Sequence, residues 1–180
     1  RYVYKKINFA IGSDLSRSNY LQTDLLHGDT AHTYYYTNLF PKATFTFKIA
    51  KQTSLRFSYQ GSTKQPTITQ VQPLNQNTDP LNIIVGNPAL KQSLTHSGIF
   101  DFRYTNPRLG QTLFGMLNLS YARNYIGKSQ YTPLSDTTIA PGIILSSGSQ
   151  LTTPVNLRNY WAVNSFIAHG IPIAKIKCNL

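Results

Sequence analysis

Two runs of alternating apolar and polar residues, joined by a short turn, constrain the fold of this chain more than any other feature. Between residues 42 and 60 the sequence reads KATFTFKIAKQTSLRFSYQ, with apolar side chains at every second position on both sides of a turn at 50–53. Successive side chains point to opposite faces of a β-strand, so this stretch predicts a hairpin with one apolar and one polar face. Either a second protein layer or lipid must cover the apolar face.

The same alternation recurs along the 180 residues and indicates an all-β protein. Besides the two strands of the hairpin, of which the first starts upstream near residue 33, five more are predicted. They cover about residues 7–16, 97–105, 112–125, 155–169 and 174–180. The composition agrees, because 12 Tyr and 9 Phe suit strands, and Glu, a good helix former, does not occur. We therefore expect about seven consecutive antiparallel strands.

The connections between these strands alternate in length, which favours a barrel in a membrane. Long connections are predicted at about 21–32, 61–92 and 127–153, and short ones at 50–53, 106–110 and 170–173. Outer-membrane barrels have short periplasmic turns and longer extracellular loops, whereas a soluble sheet has no reason to place every long loop at one end. The pattern predicts a segment of an antiparallel up-and-down transmembrane β-barrel.

A soluble sheet with one covered face shows the same alternation, so one alternative stays open: a soluble secreted all-β binding module such as a lectin-like sandwich. Aromatic residues near predicted strand ends, including Tyr59, Tyr121 and Trp161, suit the headgroup region of a membrane. The two hypotheses differ in what covers Phe45, Phe57 and Leu119. Hydrocarbon covers them in the membrane hypothesis, and a second layer of the same molecule covers them in the other.

Charge and cysteine content remove several classes of protein. The net charge is +11, but the 17 basic residues are scattered singly or in pairs and form no tail, so we expect no nucleic-acid partner. Cys178 is the only cysteine, which leaves no intrachain disulfide and no cysteine-based zinc site. No apolar run approaches the roughly 20 residues that a membrane-spanning helix needs.

The sequence contains no pattern that predicts catalysis or a metal site. The four histidines form no close-spaced ligand pair, and no Gly-x-Ser-x-Gly elbow or phosphate-binding glycine loop occurs. Asp101 and Arg103 fall on one strand face and are interpreted as an ion pair in the lumen rather than as catalytic groups. We expect no enzymatic activity, no metal and no cofactor.

Binding is better supported than catalysis, because the predicted loops are rich in amide and tyrosine side chains. Such groups suit a neutral polar ligand such as a glycan or a peptide, with tyrosine rings as stacking platforms. The candidate ligand-binding residues are Tyr34, Tyr35, Gln70, Asn75, Asn77 and Asn82. The alternative is that the amides satisfy the backbone of their own loop, as Asn and Gln commonly do in turns.

Residues 36–104 resemble a stretch of the TonB-dependent receptors of Bacteroidetes type and of their outer-membrane β-barrel relatives. The resemblance is carried by Phe40-Pro41, Asp79-Pro80-Leu81, the Gly-Asn-Pro-x-Leu element at 86–90 and Thr95-His96-Ser97, set between alternating strands. A looser resemblance, in the spacing of the predicted strands and turns, extends to the end of the chain.

The resemblance implies that residues 1–180 are part of one transmembrane domain, a slice of a roughly 22-stranded barrel. The plug domain and the remaining strands would lie outside this chain, which reads as a portion of a longer polypeptide. The implied function is nutrient uptake across the outer membrane of a Gram-negative bacterium. The implied partners are outer-membrane lipid, TonB through the plug region, a surface lipoprotein and a polar nutrient.

Overall fold

The structure, a computed structural model, describes residues 2–24, 30–72, 75–76, 79–140, 143–173 and 178–179. Strands dominate these ranges, and the single helix has four residues. The strands are β1 (Tyr2–Tyr4), β2 (Ile7–Asp24), β3 (Thr30–Ala50), β4 (Thr53–Lys64), β5 (Asn75–Gln76), β6 (Asn82–Val85), β7 (Ser93–Asn106), β8 (Gln111–Tyr131), β9 (Thr137–Ala140), β10 (Ile143–Leu145), β11 (Gln150–Gly170), β12 (Pro172–Ile173) and β13 (Cys178–Asn179). The helix α1 spans Ile68–Val71. None of the described residues belongs to a helix long and apolar enough to cross a membrane.

The main sheet has the strand order β1-β2-β3-β4-β7-β8-β11-β6-β5. Its first seven strands follow the order of the chain, and the intervening β5, β6, β9 and β10 lie within long connections. Two further two-stranded sheets pair β9 with β10 and β12 with β13. The predicted fold class, an all-β and mainly antiparallel barrel segment, is confirmed.

The pairing register confirms the two faces of the opening hairpin. Phe45 lies opposite Phe57 on β4 and opposite Phe9 on β2, and Phe47 lies opposite Leu55. On the polar face Thr46 lies opposite Arg56. Because side chains alternate along a strand, this register places Phe45, Phe47, Leu55 and Phe57 on one side, whereas the register shifts next to the turn, between Lys48 and Ala50.

The prediction of an irregular segment at 21–32 is wrong at 21–24 and 30–32, and its middle, 25–29, lies outside the described residues. β2 continues to Asp24 and β3 begins at Thr30, with Leu21 paired to Thr33. The polar sequence of these strand ends no longer alternates and therefore suggested a loop, but their backbone pairing continues. β1 was not predicted, and of the strand expected at 174–180 only β13 lies among the described residues.

The chain divides into two compact units. The first contains Arg1–Ser62, Thr95–Tyr121 and Trp161–Leu180, and the second contains Thr63–Leu94 and Ala122–Tyr160. Among the described residues, the buried hydrophobic side chains all belong to the second unit. They are Ile83, Leu90, Ala122 and Leu145.

The first unit instead presents a long apolar face. Ile11, Leu15 and Ile167 are 71%, 75% and 76% exposed. Phe45, Phe57 and Leu119 are partly exposed, and none of the three is buried. Large apolar side chains exposed to this extent on several strands of one sheet indicate that a partner surface covers them.

Candidate functional site

The connection between β4 and β7 is built around short polar motifs in the second unit. The backbone N–H of Thr67 donates to Gln70 Oε1 at 3.0 Å, which stabilises the start of α1. The Asp79 carboxylate accepts from Asn82 Nδ2 at 2.7 Å and from the Leu81 N–H at 2.9 Å. These two hydrogen bonds, the Asn82 one first, lower the pKa of Asp79 below its ordinary value.

The Gly-Asn-Pro-x-Leu element fastens this connection to β11. The Asn87 N–H donates to the Gln70 carbonyl at 2.7 Å, and Asn87 Nδ2 donates to the Pro154 carbonyl at 3.1 Å. A Cβ at Gly86 would lie 2.0 Å from the Gln72 carbonyl oxygen, so only glycine fits there. Leu90 closes the element in the buried core of the unit.

Asn156 joins three segments of the second unit. Its Oδ1 accepts from the Lys91 N–H at 2.8 Å, and its Nδ2 lies 2.9 Å from both the Lys91 and the Asn124 carbonyls. Nearby, β6 pairs in parallel with the start of β11, where Ile83 lies opposite Leu151. The long connection is therefore a folded part of the protein.

The six predicted ligand-binding residues stay a prediction, because they are divided between the two units and the described residues do not test them as one site. The side chains of Gln70 and Asn82 bind groups of their own connection, as the alternative interpretation describes. Tyr35 lies in β3 of the first unit and is 67% exposed. For two of the others only the backbone is described: Tyr34 pairs with Tyr20, and Asn75 lies in β5. Asn77 lies outside the described residues.

A row of aromatic rings crosses four neighbouring strands in the first unit. The ring centres are 6.1 Å apart for Tyr59 and His96, 6.5 Å for His96 and Tyr121, and 4.6 Å for Tyr121 and Trp161. The Tyr59 hydroxyl is 2.7 Å from His96 Nδ1. Amphipathic rings at one level are typical of the headgroup girdle of a membrane barrel. His96 was missed as a member, although its alternation with Gly98 and Phe100 could have indicated it.

The polar face of the first unit contains a concave site of about 220 Å³. Its lining residues come from β3, β4 and β7 and are Thr46, Ser54, Arg56, Asp101 and Arg103. The predicted ion pair between Asp101 and Arg103 is wrong: both side chains line the site, but no ion pair joins these two described residues. The Arg103 guanidinium lies instead over the Phe114 ring, 5.4 Å from its centre.

Metal ligands do not come together in the part of the chain that is described. No group of three or more His, Cys, Asp or Glu residues there is arranged to hold a metal ion.

Comparison with known proteins identifies a family and a fold. Residues 2–178 match the outer membrane protein beta-barrel family. No curated protein matches the chain at a significant level. Similar solved structures include a double mutant of the Serratia marcescens hemophore receptor HasR in complex with its hemophore HasA and heme. That match has a TM-score of 0.55 and 16% sequence identity, and it covers 93% of this chain but 28% of the receptor chain. At this identity the similarity establishes the fold alone, and this chain corresponds to less than a third of the receptor.

Proposed function

Because this chain belongs to the outer membrane protein beta-barrel family, we propose that it forms part of the wall and external loops of a TonB-dependent receptor that takes up a polar nutrient. The family places the chain in the outer membrane of a Gram-negative bacterium. Nutrient uptake is a more specific proposal than membership of this family. It is supported by the sequence resemblance at 36–104 together with the fold that the chain shares with a receptor.

The observation that carries the proposal is the contrast between the two units. The first presents exposed apolar side chains such as Ile11 and Ile167, as a wall in contact with lipid requires. The second has its own buried core around Leu145 and consists of the long connections together with the strand ends that flank them. Long loops that fold into a defined body are suited to ligand capture, because a preorganised surface loses less entropy on binding.

A soluble lectin-like sandwich is not favoured by these observations. That fold buries the inner faces of two sheets against each other. Phe45, Phe57 and Leu119, which such packing would bury, stay partly exposed.

The proposed partners follow from the proposed transport. Energy would come from TonB through a plug domain elsewhere in the polypeptide, and a surface lipoprotein would assist capture. The ligand would be a glycan or a peptide, bound through exposed tyrosine and amide groups such as Tyr35.

Growth on defined nutrients tests the proposal. A strain that lacks the full-length gene and a strain that lacks TonB are each grown with single glycans or peptides as the only carbon source. We expect the gene deletion to abolish growth on a small subset of the nutrients that the TonB deletion affects. Unchanged growth of the gene deletion on every such nutrient would contradict uptake and favour a secretion or structural role.

A further inference from the structure

The concave site on the polar face of the first unit has the composition of an oxyanion site. We propose that Arg56 and Arg103 bind a carboxylate or phosphate group there, on the inner wall of the barrel. Two guanidinium groups against the single carboxylate of Asp101 leave the lining with a formal charge of +1. Lys48, which lies across from Ser54 in the strand ladder, adds a further cation beside the site.

Both guanidinium groups are available to a ligand. Within the described ranges, neither Arg56 nor Arg103 takes part in an ion pair, whereas Lys42 on the same face is paired with Asp14. An arginine next to a carboxylate would normally form a forked pair, but Asp101 is not held by either arginine. Unpaired guanidinium groups that line one concavity are a favourable arrangement for the planar or tetrahedral oxygens of an anion.

The site is also partly preorganised. Contact with the Phe114 ring restricts the Arg103 side chain, so less conformational entropy is lost when it binds. The hydroxyl groups of Thr46 on β3 and of Ser54 on β4, the strand that carries Arg56, add neutral donors to the lining. The volume of about 220 Å³ admits a phosphate or a carboxylate and its bound waters.

The position of the site suggests two sources for the anion. Arg56 and Ser54 follow directly after the tight turn between β3 and β4, and short turns face the periplasm in this class of barrel. The anion is therefore either a small solute near the periplasmic mouth or a carboxylate side chain of polypeptide inside the lumen. Both sources present the same oxygens to the two arginines.

Modification with phenylglyoxal, which reacts with free guanidinium groups, tests the proposal on the full-length protein in detergent. Peptide mapping by mass spectrometry follows Arg56 and Arg103, with inorganic phosphate as the probe. If the site binds solutes, both arginines react without phosphate, and their rates fall about tenfold at a phosphate concentration about ten times the dissociation constant. Arg17 and Arg108, exposed and outside the site, serve as internal controls and should not change.

The other source gives a different result. If a lumenal carboxylate occupies the site, both arginines are protected in low salt without phosphate and become reactive at high salt, because screening weakens the pairing. Reaction that phosphate does not slow, or protection that salt does not relieve, would overturn the proposal.

A variant separates a shared site from two independent arginines. Arg103→Gln should remove the phosphate or low-salt protection of Arg56, whereas Arg108→Gln removes the same charge and should leave it intact. Full protection of Arg56 in the Arg103→Gln protein would also contradict the proposal. None of these outcomes depends on nutrient uptake. The proposal of an oxyanion site and the proposal of nutrient uptake can therefore be refuted independently of each other.

Discussion

Asn156→Ala should loosen the long connection between β4 and β7 without unfolding the strands of the first unit. The Asn156 side chain makes three hydrogen bonds, all between 2.8 and 2.9 Å, to the backbone of Lys91 and Asn124. Each neutral hydrogen bond contributes about 0.5–1.5 kcal/mol, so the three together contribute about 1.5–4.5 kcal/mol. Since part of this side chain remains accessible to water, we expect a value in the lower part of this range, about 2 kcal/mol.

Hydrogen exchange measured by mass spectrometry on the full-length protein in detergent is the appropriate assay. A loss of about 2 kcal/mol corresponds to about 30-fold more frequent opening of the connection, because each 1.4 kcal/mol is a factor of ten. Peptides that contain residues 82–92 should exchange correspondingly faster. Peptides from 42–60 should not change.

Asn164→Ala is the matched control, since it removes the same side chain from an exposed position on the same strand, within the first unit. It should leave exchange at 82–92 unaltered. If Asn156→Ala accelerates that exchange less than about threefold, or if both variants act alike, the hydrogen bonds of Asn156 do not hold the connection and the reasoning fails.

Three further predictions concern other parts of the molecule. Gly86→Ala places a Cβ 2.0 Å from the Gln72 carbonyl and should destabilise the second unit by about 1–3 kcal/mol, seen as faster proteolysis of the long connection; Gly12→Ala, with no atom within 4 Å of its Cβ, should behave as wild type, and equal protease resistance of the two variants would count against the close approach. Phe45→Arg should reduce the free energy of folding into lipid vesicles by up to about 2–4 kcal/mol, which is measured as a lower folded fraction in denaturant. Ser58→Arg, on the polar face, should fold as the wild type does. If Ser58→Arg were the more destabilised of the two, lipid would contact the other face. The depressed pKa of Asp79 means that its hydrogen bonds stabilise the connection above the ordinary carboxyl value of 3.8, and that this contribution is lost as the pH falls through the folded-state value. The protection factors of the amides at 79–85, measured relative to the intrinsic exchange rate at each pH, should therefore fall in acid for the wild type but stay constant for Asp79→Asn. An equal fall in both proteins would exclude Asp79 as the cause.

Local periodicity predicted the wall of this protein well, and it failed where one face was no longer apolar. The sequence predicts the hairpin at 42–60 because apolar and polar residues alternate on both of its arms, so that the polarity of each residue indicates the face on which it lies. The sequence predicts a loop at 21–32, yet the ends of β2 and β3, from Leu21 to Asp24 and from Thr30 to His32, belong to it. Their backbone pairing continues, although apolar and polar residues no longer alternate in their sequence.

The second unit was not foreseen, because its structure depends on partners far apart in the chain. Asn156 binds Lys91, 65 residues away, and β6 pairs with β11. The Asp-Pro-Leu and Gly-Asn-Pro-x-Leu elements were noticed as family features, yet nothing in the sequence says which carbonyl Asn87 will bind. Polar hydrogen bonds have no periodicity, and a connection of this length sets no register.

The sequence by itself determined which face of each wall strand is apolar, because alternation is a property of consecutive residues and needs no knowledge of neighbouring strands. Only the tertiary structure decided which residues of different strands lie side by side. The long connection between β4 and β7 leaves their register free, so neither the aromatic row from Tyr59 to Trp161 nor the juxtaposition of Arg56 with Arg103 can be derived from parity alone. Both are set by the hydrogen-bonded ladder and by the packing that the completed sheet allows.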